Sequence, residues 1–213
     1  MRVLIVGAHP DDETFGMGGT LARHIADGDE VNVLILTDGV TARGGNVGYQ
    51  RQIFIDAMNA YGVQSFDHLD YKDQQLDAVP LLELIRRIEG YIRRFKPDTV
   101  YTHARTDVGQ DHRRTLEAVL VAARPASVKN IISFPCPSSS FWGVEQFHPN
   151  LYKDVTGHMD KAVDIIETFY RHESPEYPHP RSVIAIKQRA RWLANLVGRP
   201  GQFEEFEVIR SVE

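Results

Sequence analysis

A histidine and a pair of carboxylates stand close together near the start of the chain. His9 and Asp12 are three positions apart around a proline, so both side chains can turn toward one point. An imidazole nitrogen together with a carboxylate oxygen suits zinc or another divalent transition metal. Asp11 lies between them and could transfer a proton instead of binding the metal. The spacing therefore predicts one side of a metal site with a base beside it.

A strand and its following loop must hold these residues. The run from Arg2 to Ala8 is mostly branched and apolar, which is typical of a central strand that is covered on both faces. The histidine and carboxylates then fall in the loop at the carboxyl end of that strand. Open α/β sheets bind their ligands at this edge.

A second polar cluster follows another predicted strand. Asp111 and His112 come after the strand predicted from Asp98 to His103, and they open a helix. In the common doubly wound order, the first and fourth strands flank the topological switch point, so their loops face each other. His112 would then join His9 and Asp12 as a two-histidine, one-carboxylate site with positions left for water and substrate. Such zinc sites are hydrolytic, because the metal lowers the pKa of water toward about 7 and polarises a carbonyl.

Strands and helices alternate along the chain. Further strands are predicted over 30–37, 64–71, 128–134, 151–156 and 203–209, and helices over 15–26, 49–61, 78–95, 111–123, 157–170 and 182–197. This alternation predicts an α/β fold with a Rossmann-like, doubly wound, mostly parallel sheet and helices on both faces. No linker or repeat divides the chain, so we expect a single domain over residues 1–213.

A nucleotide-binding module is a competing interpretation of such a sheet. It predicts a G-x-G-x-x-G turn after the first strand. The sequence there is Gly7-Ala8-His9-Pro10-Asp11-Asp12, which places acidic side chains where a pyrophosphate would lie. Three glycines follow at positions 16, 18 and 19, and their spacing favours close helix packing over a phosphate-binding loop.

The composition is that of an ordinary soluble protein. Hydrophobic residues make up 42% and charged residues 25% of the 213, and the net charge is −5. That balance argues against nucleic acid or an anionic membrane as the main partner. The single Cys136 excludes an intrachain disulfide, and no apolar stretch approaches the roughly 20 residues of a membrane span. With Met1-Arg2-Val3 running straight into a strand, we expect no signal peptide and a cytoplasmic protein.

The polar motifs resemble those of the PIG-L/LmbE-like family of metal-dependent N-deacetylases. The most specific is Ala8-His9-Pro10-Asp11-Asp12-Glu13, followed later by Asp111-His112. The similarity continues through Gly18-Gly19-Thr20-Leu21, Thr37-Asp38-Gly39, Arg51, Lys161, His172-Glu173-Ser174, Gly198 and Glu205-Phe206. It covers nearly the whole chain. The family removes acyl groups, usually acetyl, from the nitrogens of amino sugars.

The resemblance implies roles for individual residues. His9, Asp12 and His112 match the zinc ligands, and Asp11 matches the general base. It implies a zinc cofactor, with iron(II) or another divalent metal as alternatives, and a small N-acetylated sugar or nucleotide sugar as substrate. An amidase that cleaves a larger N-acyl or thiol-conjugate substrate on the same metal site is a nearer alternative than the nucleotide-binding module.

The substrate side is less closely matched. The family often has His-Pro before Asp-His, whereas this chain has Gly109-Gln110. A sub-branch with Asp-x-x-x-Asp-His, which 107–112 fits, manages without that histidine. The substrate-side candidates are Arg51, which matches a sugar-contacting arginine, Asp107, which would orient a neighbouring group, and His103 and Tyr152, either of which would supply the missing donor. The loops 42–48 and 135–152 are expected to shape the pocket, and 135–149 could instead form an interface in a homo-oligomer.

Overall fold

The computed structural model describes residues 1–124 and 127–212. Within them lie the strands β1 (Arg2–Gly7), β2 (Glu30–Thr37), β3 (Ser65–Tyr71), β4 (Thr99–His103), β5 (Asn130–Phe134), β6 (Leu151–Asp154) and β7 (Phe203–Arg210). The helices are α1 (Asp12–Ala26), α2 (Val47–Tyr61), α3 (Leu81–Phe95), α4 (Gln110–Ala122), α5 (Met159–Phe169) and α6 (Val183–Leu196). Three short 3₁₀ turns occur at Thr41–Arg43, Leu76–Ala78 and Arg171–Glu173.

All seven strands belong to one sheet in the order β3-β2-β1-β4-β5-β7-β6. Strands β1 to β5 are parallel to one another, and β7 runs antiparallel to both β5 and β6. The predicted mostly parallel, doubly wound sheet is therefore confirmed, with β6 at one edge. The chain reverses direction across the sheet between β1 and β4, which are adjacent. This switch point brings the loops after β1 and β4 to the same edge.

The central strand β1 is covered on both faces, as its unbroken apolar run predicts. Val3 and Ile5 belong to a core with side chains of α1, α2 and α5, while Leu4 and Val6 belong to a second core with α3 and α4. The two cores fix the sheet between two helical layers. In the described part of the chain, no helix has both the length and the apolar character needed to cross a bilayer.

The helices begin one to three residues from their predicted starts, and two of these shifts have a local cause. Helix α2 starts two residues early at Val47, because the side chain of Asn46 accepts the backbone N–H of Tyr49 and caps the helix. Helix α3 starts at Leu81 instead of residue 78, since Pro80 has extended backbone angles and ends the preceding turn. These shifts do not change which side of α2 or α3 packs against the sheet.

The glycines at the start of α1 allow close packing. A Cβ at Gly16 would lie 2.4 Å from the Phe134 ring, and one at Gly18 would lie 2.8 Å from Ala162. The backbone N–H groups of Gly19 and Thr20 donate to the Glu204 carboxylate at 2.9 and 2.7 Å. The glycines therefore allow close helix packing, as their spacing predicts, and the backbone N–H groups of Gly19 and Thr20 bind a side chain of β7.

Candidate active site

The loop after β1 folds around the carboxylate of Asp12. Its Oδ2 accepts the backbone N–H groups of Ala8 and His9 at 3.1 and 2.7 Å. Asp11 occupies the N-cap position of α1, but its side chain makes no capping hydrogen bond. Its φ of 148° is a sparsely populated conformation for a residue with a side chain. The loop therefore holds both aspartates in fixed directions, and helix capping does not account for Asp11.

Three possible metal ligands converge across the switch point. His9 Nδ1 lies 3.1 Å from His112 Nε2 and 3.5 Å from Asp12 Oδ2, and His112 Nε2 lies 3.4 Å from Asp12 Oδ1. Ligands at the corners of a tetrahedron, with bonds of about 2.0–2.2 Å, lie about 3.3–3.6 Å apart. The two loops thus bring His9, Asp12 and His112 together at the spacing that a tetrahedral cation requires.

Each histidine is held by a carboxylate on its other nitrogen. His112 Nδ1 lies 3.0 Å from Asp107 Oδ1, and His9 Nε2 lies 3.2 Å from both Asp111 and Asp73. Such outer partners fix the direction and the tautomer of metal-binding histidines. The side chain of Asp111 also accepts the backbone N–H groups of the loop at Gln74 and Leu76.

A second group of possible ligands overlaps the first. Asp12, His112, His103 and Cys136 offer donor atoms within 4.8 Å of one another. The rings of His103 and His112 are stacked, however, at 4.0 Å and an angle of only 5°. A metal lies in the plane of an imidazole that binds it, so two stacked parallel rings cannot share one ion. The rings of His9 and His112 are inclined by 55°, which allows both to point at one cation.

The charges of the site favour a cation. Burial alone would lower the pKa of His112, but the Asp12 and Asp107 carboxylates outweigh it and raise this pKa to about 9. Burial would raise the pKa of Asp107, but its hydrogen bond to His112 lowers it to about 2. Burial would also raise the pKa of Asp12, but the charges of His112 and His103 outweigh burial and hold this pKa well below its usual value. Because a histidine must lose its proton to bind a metal, metal binding here would release protons.

The Asp11 carboxylate contacts an arginine in the wall of the same pocket. Arg181 Nη2 donates to Asp11 Oδ2 at 2.5 Å, and the guanidinium lies 4.1 Å from the centroid of the Phe15 ring. Burial raises the pKa of Asp11, and the positive charge of Arg181 opposes that rise. Among the described residues, no donor contacts Asp11 Oδ1. That oxygen is therefore available to accept a proton.

Glu13 lies behind the base and does not support His9. Its carboxyl accepts the Thr14 hydroxyl at 2.8 Å and the Asp11 backbone N–H at 3.3 Å. It is fully buried, and burial raises its pKa to about 8. Asp73 and Asp111, not Glu13, are the carboxylates that contact His9 Nε2.

A pocket of about 310 Å³ opens over the site. His9, Asp11, Asp12 and His112 all line it. The rest of its wall includes Phe15, Ala42, Arg43, Gln50, Asp73, Gln74, Cys136, Ser138, Ser139, Glu173 and Arg181. The loops expected to shape the pocket, 42–48 and 135–152, therefore contribute to its wall. Most of the lining residues are of polar type, and Phe15 adds one aromatic face.

The four substrate-side candidates lie outside this wall. Arg51 pairs with Asp70 on the outside of α2, and Tyr152 lies opposite Glu205 in the β6–β7 pair. His103 is fully buried against His112. Asp107 is buried and orients His112, so the expectation that it orients a neighbouring group agrees with its contacts. Arg51, His103 and Tyr152 therefore do not line the pocket that His9, Asp11, Asp12 and His112 share.

Two residues at the site had no signal in the sequence. Arg181 stands 170 positions after its partner Asp11, in a loop without periodic pattern. Asp73 follows β3, and nothing about its neighbours distinguishes it from a surface aspartate. A third feature, Glu173, was noted only within a family motif, and its carboxylate binds Arg43 through two hydrogen bonds of 2.7 and 2.8 Å.

A family model and several known proteins are similar to this chain. The family model described as PIG-L, GlcNAc-PI de-N-acetylase, matches residues 4–123. The uncharacterized deacetylase YaiS of Escherichia coli is 27% identical over 158 residues, which cover 72% of this chain and 81% of that protein. A 1D-myo-inositol 2-acetamido-2-deoxy-alpha-D-glucopyranoside deacetylase of Geodermatophilus obscurus is 30% identical over 161 residues, which cover 59% of this chain and 55% of that protein.

A solved structure shares the whole architecture. The N,N'-diacetylchitobiose deacetylase of Pyrococcus horikoshii has a TM-score of 0.77 with 21% identity, and the match covers 98% of this chain and 84% of that one. At this identity the likeness shows the fold alone, and the function must be argued from the site.

Proposed function

The chain belongs to the GlcNAc-PI de-N-acetylase (PIG-L) family, and from this premise we propose that it is a zinc-dependent N-deacetylase of N-acetylated amino sugars. One observation supports the proposal most strongly. His9 Nδ1 and His112 Nε2 lie 3.1 Å apart, and each lies within 3.5 Å of one of the two Asp12 carboxylate oxygens, beside Asp11, in the wall of a pocket. Iron(II) or another divalent metal suits the same ligands, so the metal must be identified by experiment.

The residues of the site divide the work of amide hydrolysis. Held by His9, Asp12 and His112, a zinc ion would polarise the amide carbonyl and make water more acidic. Asp11 accepts the proton of the attacking water on its free Oδ1, while Arg181 holds the other oxygen. The same carboxyl can then return this proton to the departing nitrogen. General acid–base catalysis of this kind is worth roughly 10²–10⁴-fold in rate.

The pocket favours a small polar substrate. Its volume of about 310 Å³ is at the lower end of ligand pockets in proteins, which suits one sugar ring with its acyl group. Amide and hydroxyl groups of Gln50, Gln74, Ser138 and Ser139 line it, and Phe15 offers an aromatic face. Two relatives are named for substrates with an N-acetylated sugar, which agrees with this chemistry.

A substrate panel with controlled metal content tests the proposal. Purified protein is stripped with a chelator, reloaded with zinc or iron(II), and incubated with N-acetylglucosamine, N,N'-diacetylchitobiose and UDP-N-acetylglucosamine. We expect release of acetate and free amine only from metal-loaded protein. The His24→Ala variant is a matched control, because this buried histidine is also held by an aspartate but lies outside the pocket. Activity that survives complete metal removal would contradict the proposal.

The same assay separates the amidase alternative. Mass spectrometry of the released acid distinguishes acetate from a longer acyl group. Release of a longer acid, with the acetylated sugars left intact, would favour an amidase on the same metal site.

A further inference from the structure

Arg181 is held in the pocket from several sides. Its guanidinium lies against the Phe15 ring and donates to Asp11, and 24% of its side chain is exposed. Its backbone is fixed as well, because its N–H donates to His179 Nδ1 at 3.1 Å and its carbonyl accepts the Ser174 hydroxyl at 3.0 Å. The guanidinium is therefore placed beside the reacting groups before a substrate binds.

Amide hydrolysis needs donors at the carbonyl oxygen, because this oxygen becomes negatively charged as water adds. Most charged or amide donors of the pocket wall already have acceptors: Arg43 with Glu173, Gln50 with the Pro10 carbonyl, and Gln74 with Asp73. Arg181 uses only Nη2 in its contact with Asp11. Its Nε is buried and has no acceptor among the described residues, and neither has its Nη1. Arg181 is thus a pocket cation with N–H groups to spare.

We propose that Arg181 is a catalytic residue that donates a hydrogen bond to the carbonyl oxygen of the scissile amide while its Nη2 holds the base Asp11. The proposal rests on the deacetylase function proposed above. It assigns a donor that the sequence sought at His103 and Tyr152, both of which lie outside the pocket wall.

The proton and electron balance of the step is complete without another acid. Water gives one proton to Asp11, its oxygen bonds to the carbonyl carbon, and the π electrons of the carbonyl move onto its oxygen. Arg181 donates a hydrogen bond to that oxygen but keeps its proton, since a guanidinium does not deprotonate in proteins. When the C=O bond re-forms, the C–N bond breaks and the proton of Asp11 passes to nitrogen. The second proton of the water stays on the added oxygen, so the products are acetic acid and the free amine, and the acid then ionises to acetate by passing that proton to the solvent or the amine.

The variant Arg181→Met tests the assignment, with Arg189→Met as a matched control. Arg189 also lies over an aromatic ring, 4.2 Å from the centroid of Phe141, and also pairs with a carboxylate, Glu205, but it does not line the active-site pocket. The steady-state constants, Tm and zinc content of both variants are compared with those of the wild type.

We expect Arg181→Met to lower kcat by about 10²–10³-fold, as when one oxyanion donor is removed, with KM changed by less than about threefold. Arg189→Met should leave kcat within about threefold of the wild type. Methylguanidinium should restore part of the kcat of Arg181→Ala in a saturable manner without raising its Tm. A purely structural role would not give this rescue.

Several outcomes would overturn the assignment. Wild-type kcat in Arg181→Met would do so, and so would a loss of activity that follows a loss of zinc. If Arg181→Met folds poorly, Arg181→Gln is measured instead, and wild-type kcat there would count equally against it. Failure of the wild type to release acetate would overturn both proposals, whereas acetate release by the wild type and by Arg181→Met alike would overturn only this one.

Discussion

Replacing Asp107 tests how the metal site is held. This carboxylate is 2% exposed, and its Oδ1 lies 3.0 Å from His112 Nδ1 and 2.7 Å from the Gly109 backbone nitrogen. Its Oδ2 accepts the hydroxyls of Ser139 and Ser140 at 2.8 and 2.6 Å. Asparagine can keep this pattern, with its oxygen toward His112 and its amide toward the serines, so Asp107→Asn removes mainly the charge. Alanine removes the charge and the hydrogen bonds.

The expected losses follow from these contacts. Outer partners of metal-binding histidines contribute about 10–100-fold to metal affinity or activity. We therefore expect zinc affinity to fall about tenfold in Asp107→Asn and about 100-fold in Asp107→Ala. The alanine variant also leaves the part-buried N–H of Gly109 and the buried Nδ1 of His112 without the carboxylate. Each loss costs about 1–3 kcal/mol, so the free energy of unfolding of this variant should fall by about 2–6 kcal/mol.

Competition with a chromophoric zinc chelator measures the affinity. Asp29→Asn is the matched control, because Asp29 holds His24 Nδ1 at 2.6 Å in the same carboxylate–imidazole arrangement away from the pocket. Its zinc affinity should equal that of the wild type. Unchanged zinc affinity in Asp107→Ala, together with a raised KM, would refute the reasoning and make Asp107 a substrate contact.

Three further predictions concern the base, the packing and the pH dependence. Asp11→Asn should keep its zinc and lose about 10²–10⁴-fold in kcat, and full turnover in a metal-loaded sample would exclude Asp11 as the base. Gly16→Ala places a Cβ 2.4 Å from the Phe134 ring, so urea unfolding should show a loss of about 1–3 kcal/mol, and an unchanged midpoint would count against the close packing. Burial lowers the pKa of His24 in the folded protein below its ordinary value of 6.5. As the pH drops below 6.5, the unfolded chain therefore binds a proton at His24 more readily than the folded protein does, and the free energy of unfolding falls. In His24→Gln, the free energy of unfolding from urea titrations should fall less steeply with decreasing pH. An identical pH dependence in both proteins would contradict the assignment.

The sheet and the convergence of the two loops could be predicted because they depend on local patterns. Apolar runs mark the strands, and the switch-point rule alone places His112 opposite His9. The side chains that hold the ligand His9 and the base Asp11 could not be predicted in this way. Asp73 and Arg181 reach the site from loops whose paths are set by the packing of distant helices, and no spacing in the sequence records that packing.

The family resemblance identified the segments near the pocket more reliably than it identified which side chains point into the pocket. Gln50 and Arg51 are neighbours on α2, and successive residues on a helix point about 100° apart. Gln50 consequently lines the pocket, while Arg51 turns outward to Asp70. Tyr152 does not line the pocket either, and its strand β6 lies at an edge of the sheet away from the switch point.

The position of the bound metal tests the central claim most directly. A crystal of zinc-loaded protein, measured on both sides of the zinc absorption edge, gives the ion's position from anomalous scattering. The account predicts one zinc ion at about 2.0–2.2 Å from His9 Nδ1, an Asp12 oxygen and His112 Nε2. A zinc ion bound instead by His103 and Cys136, or no bound zinc at all, would contradict it.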